Sequence, residues 1–146
     1  MTVLVIDDDE MTRKLLESAL TYKGFRVFCA ANGLDGLNLA KAEDVDVILL
    51  DWMMPEMDGI EVLAALKRCS ETMHTPVFML TGKDDSKDIE LATSRGAVDY
   101  IVKPFNIFQV PEMVQKYLEK IHHGTHAHTE KHGFFSKIFS HSQLSS

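Results

Sequence analysis

The sequence predicts an α/β fold: a doubly wound sheet of five parallel strands with five helices packed on its two faces. Two observations carry this. Apolar runs of strand length recur at Val3–Ile6, Val27–Ala31, Val45–Leu50, Val77–Leu80 and Tyr100–Val102. Segments with helical spacing separate them and follow the last one. Parallel strands need a crossover between them, and the crossover helix covers the sheet face, so regular strand–helix alternation reads as a parallel sheet buried on both sides.

Each element has its own signal. After the first strand, Leu15, Leu16, Ala19 and Leu20 make one helical stripe, with Gly24 placed as its C-terminal stop. Leu34, Leu37 and Ala40 recur every third residue, but Gly36 among them leaves the second helix weakly marked. Val62, Ala65, Leu66 and Cys69 fit the i, i+3, i+4, i+7 pattern of a third helix, and Gly59 is expected to supply a turn with φ > 0 before it. Ile89, Ala92 and Thr93 mark a fourth, ahead of Gly96. The last helix carries Val110, Met113, Val114, Tyr117, Leu118 and Ile121. Asn106 is a good N-cap for it, yet Pro111 follows five residues later, and proline inside a helix removes a hydrogen bond and clashes with the preceding turn. The expectation is a kink, or a helix that begins near Pro111 with 106–110 as a turn.

Composition narrows the function. The chain has 146 residues, the size of one ordinary domain, with little room for an output module of similar size. Its formal charge of −7 is uneven: residues 1–121 carry −8, while 122–146 carry +1 and six of the seven histidines. The folded part lacks the basic footprint of a nucleic-acid binder, so nucleic acid is excluded as the direct ligand. Cys29 and Cys69 form no CxxC pair and are too few for a disulfide framework. The short apolar run at 3–6 leads straight into acids, unlike a signal peptide, and no segment is long and apolar enough for a transmembrane helix. A soluble, cytoplasmic protein is expected, with a domain over 1–121 and a His-rich tail over 122–146.

In open α/β sheets, ligands bind beyond the carboxyl ends of the strands. Here the first strand ends at Asp7-Asp8, the third at Asp51, the fourth at Thr81 and the fifth at Lys103. A single strand-end Asp is usually a turn former or helix cap, and Asp9 fits that role, but the joint set points to a functional site. Asp7, Asp8 and Asp51 would bring −3 into one pocket, which raises a carboxyl pKa or attracts a cation. Carboxylates, a carbonyl and water suit Mg²⁺. A divalent ion and Lys103 would neutralise the acids, so that a phosphoryl group could enter and meet the Thr81 hydroxyl. Carboxylates can be nucleophiles for an aspartyl phosphate. Asp8 and Asp51 both qualify on chemistry, and Asp51 is favoured because right-handed winding makes its strand central.

The run Asp51-Trp52-Met53-Met54-Pro55-Glu56-Met57-Asp58-Gly59 resembles the phosphoacceptor loop of response-regulator receiver domains, the CheY-like family. Val5-Ile6-Asp7-Asp8-Asp9, Leu80-Thr81-Gly82 and Tyr100-Ile101-Val102-Lys103-Pro104-Phe105 match three further signatures of that family, in order, within residues 2–121. The resemblance implies a flavodoxin-like sheet of strand order 2-1-3-4-5. It also implies a regulatory phosphoacceptor in a two-component system, served by a sensor histidine kinase or a histidine phosphotransfer protein and acting on a downstream protein target. By position, Asp51 is the phosphoacceptor. Asp8, Asp51 and the Met53 carbonyl would ligate Mg²⁺, with Asp7 supporting the site. Lys103, Thr81 and Tyr100 would bind phosphate and switch. X-Pro bonds are trans by default, whereas the resemblance implies a cis Lys103–Pro104 bond.

Some positions depart from the family in informative ways. Met53 and Lys83 flank the site where family members differ, and an apolar Met53 side chain cannot orient a water by hydrogen bonding, so slow self-hydrolysis is expected. The paired-charge pattern of OmpR-like dimers is met only loosely by Lys83, Asp84, Asp85 and Asp99, with Pro111, Met113 and Lys116 in place of that group's arginines, so a homodimer is not favoured. In the tail, Phe134, Phe135, Ile138 and Phe139 share one helical face, with Lys131 and Lys137 nearby, a pattern suited to docking on a partner or a membrane surface. The tail histidines could bind Zn²⁺, Ni²⁺ or Cu²⁺, against the plainer reading of a solvated tail. Two other readings compete with a stand-alone receiver. One is a Mg²⁺-dependent phosphohydrolase of the haloacid-dehalogenase type, which would need a further acidic pair on a strand after Lys103. The other is a receiver cut from a longer regulator.

Overall fold

The computed structural model describes residues 1–82 and 86–123. Among the described residues ten elements alternate: β1 (Thr2–Ile6), α1 (Glu10–Tyr22), β2 (Arg26–Ala30), α2 (Gly33–Ala42), β3 (Val47–Asp51), α3 (Gly59–Arg68), β4 (Val77–Thr81), α4 (Ser86–Ser94), β5 (Asp99–Val102) and α5 (Gln109–His123). The strands form one parallel sheet in the order β2-β1-β3-β4-β5. β3 is therefore central, and all five carboxyl ends lie on one edge. No helix among the described residues is long and apolar enough to cross a membrane.

Period-two alternation divides the core between the two faces. Val3, Val5, Val47, Leu49, Phe78 and Leu80 point to the side covered by α1 and α5, where they meet Leu16, Leu20, Val110, Val114 and Leu118. Leu4, Ile6, Ile48, Leu50 and Met79 point the other way, onto Leu37, Val62, Leu63, Leu66 and Ala92 of α2, α3 and α4. Phe78 meets Tyr117 edge to face at 5.2 Å, which ties β4 to α5.

The helices begin and end where local chemistry allows. Asp9, Asn32 and Asp58 cap α1, α2 and α3 by accepting from Thr12, Asp35 and Glu61 backbone N–H groups, and Asp58 with Glu61 completes a capping box. Gly24 and Gly96 follow α1 and α4 at φ 104° and 108°, a region open mainly to glycine. Pro111 occupies the third position of α5, within the first turn, where its missing N–H has no intrahelical acceptor to lose. The preceding stretch is a turn, with the Phe108 N–H on Asn106 Oδ1 and the Gln109 N–H on the Asn106 carbonyl.

Three details differ from the sequence reading. Leu15 and Leu34 sit at the edges of their stripes and are largely exposed, while Leu63, outside the stripe read for α3, is fully buried. Gly59 has no positive φ; that conformation falls on Glu56, at φ 69°. Gly59 instead opens α3, where a Cβ would lie 2.4 Å from the Asp51 carbonyl oxygen. Close approach, not turn geometry, requires glycine there. Lys83, Asp84 and Asp85 lie outside the described residues, as do the tail's Phe-rich segment and its histidines beyond 123.

Candidate functional site

The parallel order brings the ends of β1, β3, β4 and β5 side by side. Asp7 follows β1 and is fully buried, Asp51 ends β3 at 5% exposure, and Thr81 ends β4, also buried. Lys103 follows β5, its backbone N–H on the Thr81 carbonyl. Its Nζ donates to Asp7 Oδ2 at 2.8 Å and to Asp51 Oδ1 at 3.1 Å, joining residues 96 and 52 positions away in sequence. The Lys103–Pro104 peptide is cis, as the resemblance implied. Asp8 stands at the exposed mouth, and carboxylate oxygens of Asp7, Asp8 and Asp51 all lie within 4.8 Å of one another.

Asp7 is held on both oxygens, since Oδ1 accepts from the Asp9 N–H at 2.9 Å. One further contact escaped the sequence reading. Arg13 on α1 donates to the Asp7 carbonyl at 2.9 Å and so fixes the acidic loop from behind. Arg13 lies one turn past the Asp9 cap, a spacing that returns a long side chain to the loop before the helix, but a lone arginine in a helical stretch rarely attracts notice.

Burial first, and then the charge of Asp7, push the Asp51 carboxyl up to about 7, against the opposing pull of Lys103. Burial disfavours the Lys103 ammonium, but its contacts with Asp7 and Asp51 outweigh this and raise its pKa. Among the described residues the pocket thus holds three acids against Lys103, and its donors are oxygens. That set fits a hard divalent ion such as Mg²⁺.

The remaining sequence candidates surround this centre at different depths. The Met53 side chain is 63% exposed beside the pocket, whereas Met54 is buried. Tyr100 is half-buried on β5, level with Met79 and packed against the core on the face covered by α2, α3 and α4, below the acid cluster. Asp99, a residue of the loosely matched dimer pattern, is buried and accepts the Tyr100 N–H on its own Oδ1.

Residues 3–115 match the family described as response regulator receiver domain. Among solved structures, the chemotaxis protein CheY4 of Vibrio cholerae superposes with a TM-score of 0.75 at 32% identity, covering 79% of this chain and 96% of that one. The receiver domain of Francisella response regulator 1452 gives 0.76 at 31%, covering 82% and 98%. The chain is 42% identical over 103 residues to the transcriptional regulatory protein AfsQ1 of Streptomyces coelicolor, covering 70% of this chain and 44% of the relative. It is 35% identical over 142 residues to SrrA of Staphylococcus aureus, covering 97% and 58%. A signalling module with an acidic pocket at the carboxyl edge of a parallel sheet is the class that fold and family define. The chain belongs to the response regulator receiver domain family. That family consists of regulatory signal transducers, and the dehalogenase-type alternative finds no support. The chain spans roughly half the length of these two regulators.

Proposed function

We propose that this chain accepts a phosphoryl group on Asp51 from the phosphohistidine of a sensor histidine kinase or histidine phosphotransfer protein in the cytoplasm. Its state then passes to a downstream protein by conformational change, or the phosphate is relayed. The observation that supports this most directly is the Lys103 ammonium shared between the buried carboxylates of Asp7 and Asp51. Residues 1–121 form the working domain in this reading.

An Asp51 oxygen attacks phosphorus, an O–P bond forms, and the P–N bond breaks with its electron pair leaving on the donor imidazole. Asp51 must be anionic for this step. Asp8, Asp51 and the Met53 carbonyl are suited to hold Mg²⁺, with Asp7 supporting them, and the ion would neutralise charge developing on the phosphoryl oxygens. Lys103 moves part of its hydrogen bonding from Asp51 to a phosphoryl oxygen. The Thr81 hydroxyl closes on a second oxygen, and Tyr100, half-buried on the neighbouring strand, turns further inward as β4 adjusts. Incubation with acetyl phosphate and Mg²⁺ tests the reading by intact mass. A gain of about 80 Da that maps to Asp51 and is absent from Asp51→Ala supports it. Multiple turnover of general phosphomonoesters, lost on Asp7→Ala, would replace it with a hydrolase.

One observation favours a second reading, in which the chain is the receiver part of a longer regulator. The match to SrrA takes in 97% of this chain but only 58% of the relative. Any DNA contact would then lie outside these residues. The mass of the protein recovered from its own cells separates the two readings.

A further inference from the structure

A groove of about 540 Å³ runs between α1 and α5, lined by Leu15, Ala19, Tyr22, Ile107, Phe108 and Pro111 with the edge charge of Glu112. Three of these side chains stand far into solvent: Tyr22 is 94% exposed, Phe108 79% and Leu15 47%. Apolar residues scattered singly over a surface are ordinary, but these converge on one concave seam. A second hollow of about 420 Å³ shares Lys23 with the groove and continues to Phe25, Leu118, Glu119 and His122 at the foot of α5. The seam therefore leads directly to the point from which residues 124–146 depart.

We infer that residues 134–139 of this same chain pack into the α1–α5 groove. Phe134, Phe135, Ile138 and Phe139 offer one apolar helical face, and three phenylalanines in six residues are costly to leave in water. Length permits the return. Residues 124–133 can span up to about 33 Å, whereas α5 with its fifteen residues is about 22 Å long. Gly124 directly after α5 and Gly133 directly before Phe134 allow the chain to reverse at both ends of this connection. Lys131 precedes the apolar segment and Lys137 lies within it, while Glu112 and Glu119 border the groove and the lower hollow together with Lys23. Tethering supplies the segment at an effective concentration on the order of millimolar, ahead of a second copy or of another protein at cellular levels.

The test uses the full chain labelled with ¹⁵N, as wild type and as the triple variant Phe134→Ser, Phe135→Ser, Phe139→Ser. The amide signals of Leu15, Ala19, Tyr22 and Ile107 are expected to shift between the two, at every protein concentration, while those of Val62 and Leu66 on the opposite face stay in place. Phe108→Ser, at an exposed position that leaves the core intact, is expected to move the signals of residues 134–139 in turn. Coincident spectra of wild type and triple variant would overturn the proposal and leave the groove open to another protein. Shifts that grow with concentration, together with a doubled mass in light scattering, would overturn it in favour of a second copy.

Discussion

Gly59 and the Asp51 carbonyl are closer than any other residue at position 59 would permit. A Cβ there would meet the Asp51 oxygen at 2.4 Å and the Trp52 Cα at 2.8 Å, both backbone atoms that cannot swing aside. The Gly59 N–H also donates to the Trp52 carbonyl at 2.8 Å, so α3 starts pressed against the end of β3.

Gly59→Ala is accordingly expected to displace the Asp51 backbone and destabilise the fold by about 1–3 kcal/mol, the usual cost of overpacking. Urea unfolding measures the loss, and acetyl phosphate uptake should slow in parallel because the acceptor moves with its backbone. Unchanged stability and uptake would show that α3 can retreat without cost.

Lys103→Met removes the attraction that opposes burial and the Asp7 charge at the Asp51 carboxyl, and leaves both of those in place. Its pKa should then rise further above about 7, which a ¹³C titration of the carboxyl reads directly. Phosphoryl uptake at neutral pH should fall by about tenfold or more, through fewer anionic acceptors and a lost phosphoryl contact. A variant that titrates and reacts like the wild type would remove Lys103 from the proposed chemistry.

The strands and their joint edge were legible because burial on both faces leaves a strong apolar signal, and because strand ends carry acids only where something needs them. Helix faces were less legible. Leu15 and Leu34 obey the period yet point outward, since apolar spacing marks a stripe without fixing its width. The faint signal of α2 has a cause visible only in three dimensions: a Cβ at Gly36 would lie 2.5 Å from the Ile6 side chain, so tight packing on β1 demands the residue that weakens the helix. Gly59 was identified as special for the wrong reason, because sequence cannot distinguish a glycine needed for φ from one needed for proximity. The Arg13 brace was invisible because its partner is a backbone carbonyl, which carries no sequence signal.

Met53 stands 63% exposed beside the pocket and offers an attacking water no hydrogen-bonding side chain. Met53→Asn supplies one and is expected to shorten the phosphorylated lifetime by about 3–10-fold, within the usual reach of positioning a water. Decay of the phosphorylated mass after donor removal checks this. A wild-type half-life of seconds that the substitution leaves unchanged would refute a role for position 53.

Asp51 gives the pocket a defined pH signature in protein freed of divalent ions. Its folded pKa is raised from 3.8 to about 7, chiefly by burial and then by Asp7. Below about pH 4 both folded and unfolded chains hold the proton, so the group contributes no penalty. Between there and about 7 the unfolded chain has released a proton that the folded chain retains, and stability falls as pH rises through this window. Asp51→Asn keeps the shape but never ionises, and Lys103 remains to balance Asp7. The variant should therefore be more stable than wild type by about 1–3 kcal/mol at pH 7.5, the scale expected for relief of an imperfectly paired buried charge. The two should converge only below the unfolded pKa, at about pH 3. Mg²⁺ should narrow the gap at pH 7.5 by stabilising wild type more than Asp51→Asn. Thermal melts at the two pH values, each with EDTA and with Mg²⁺, measure all four quantities. A gap that persists at low pH, or that Mg²⁺ leaves untouched, would mean that Asp51 is destabilising through packing and not through its charge.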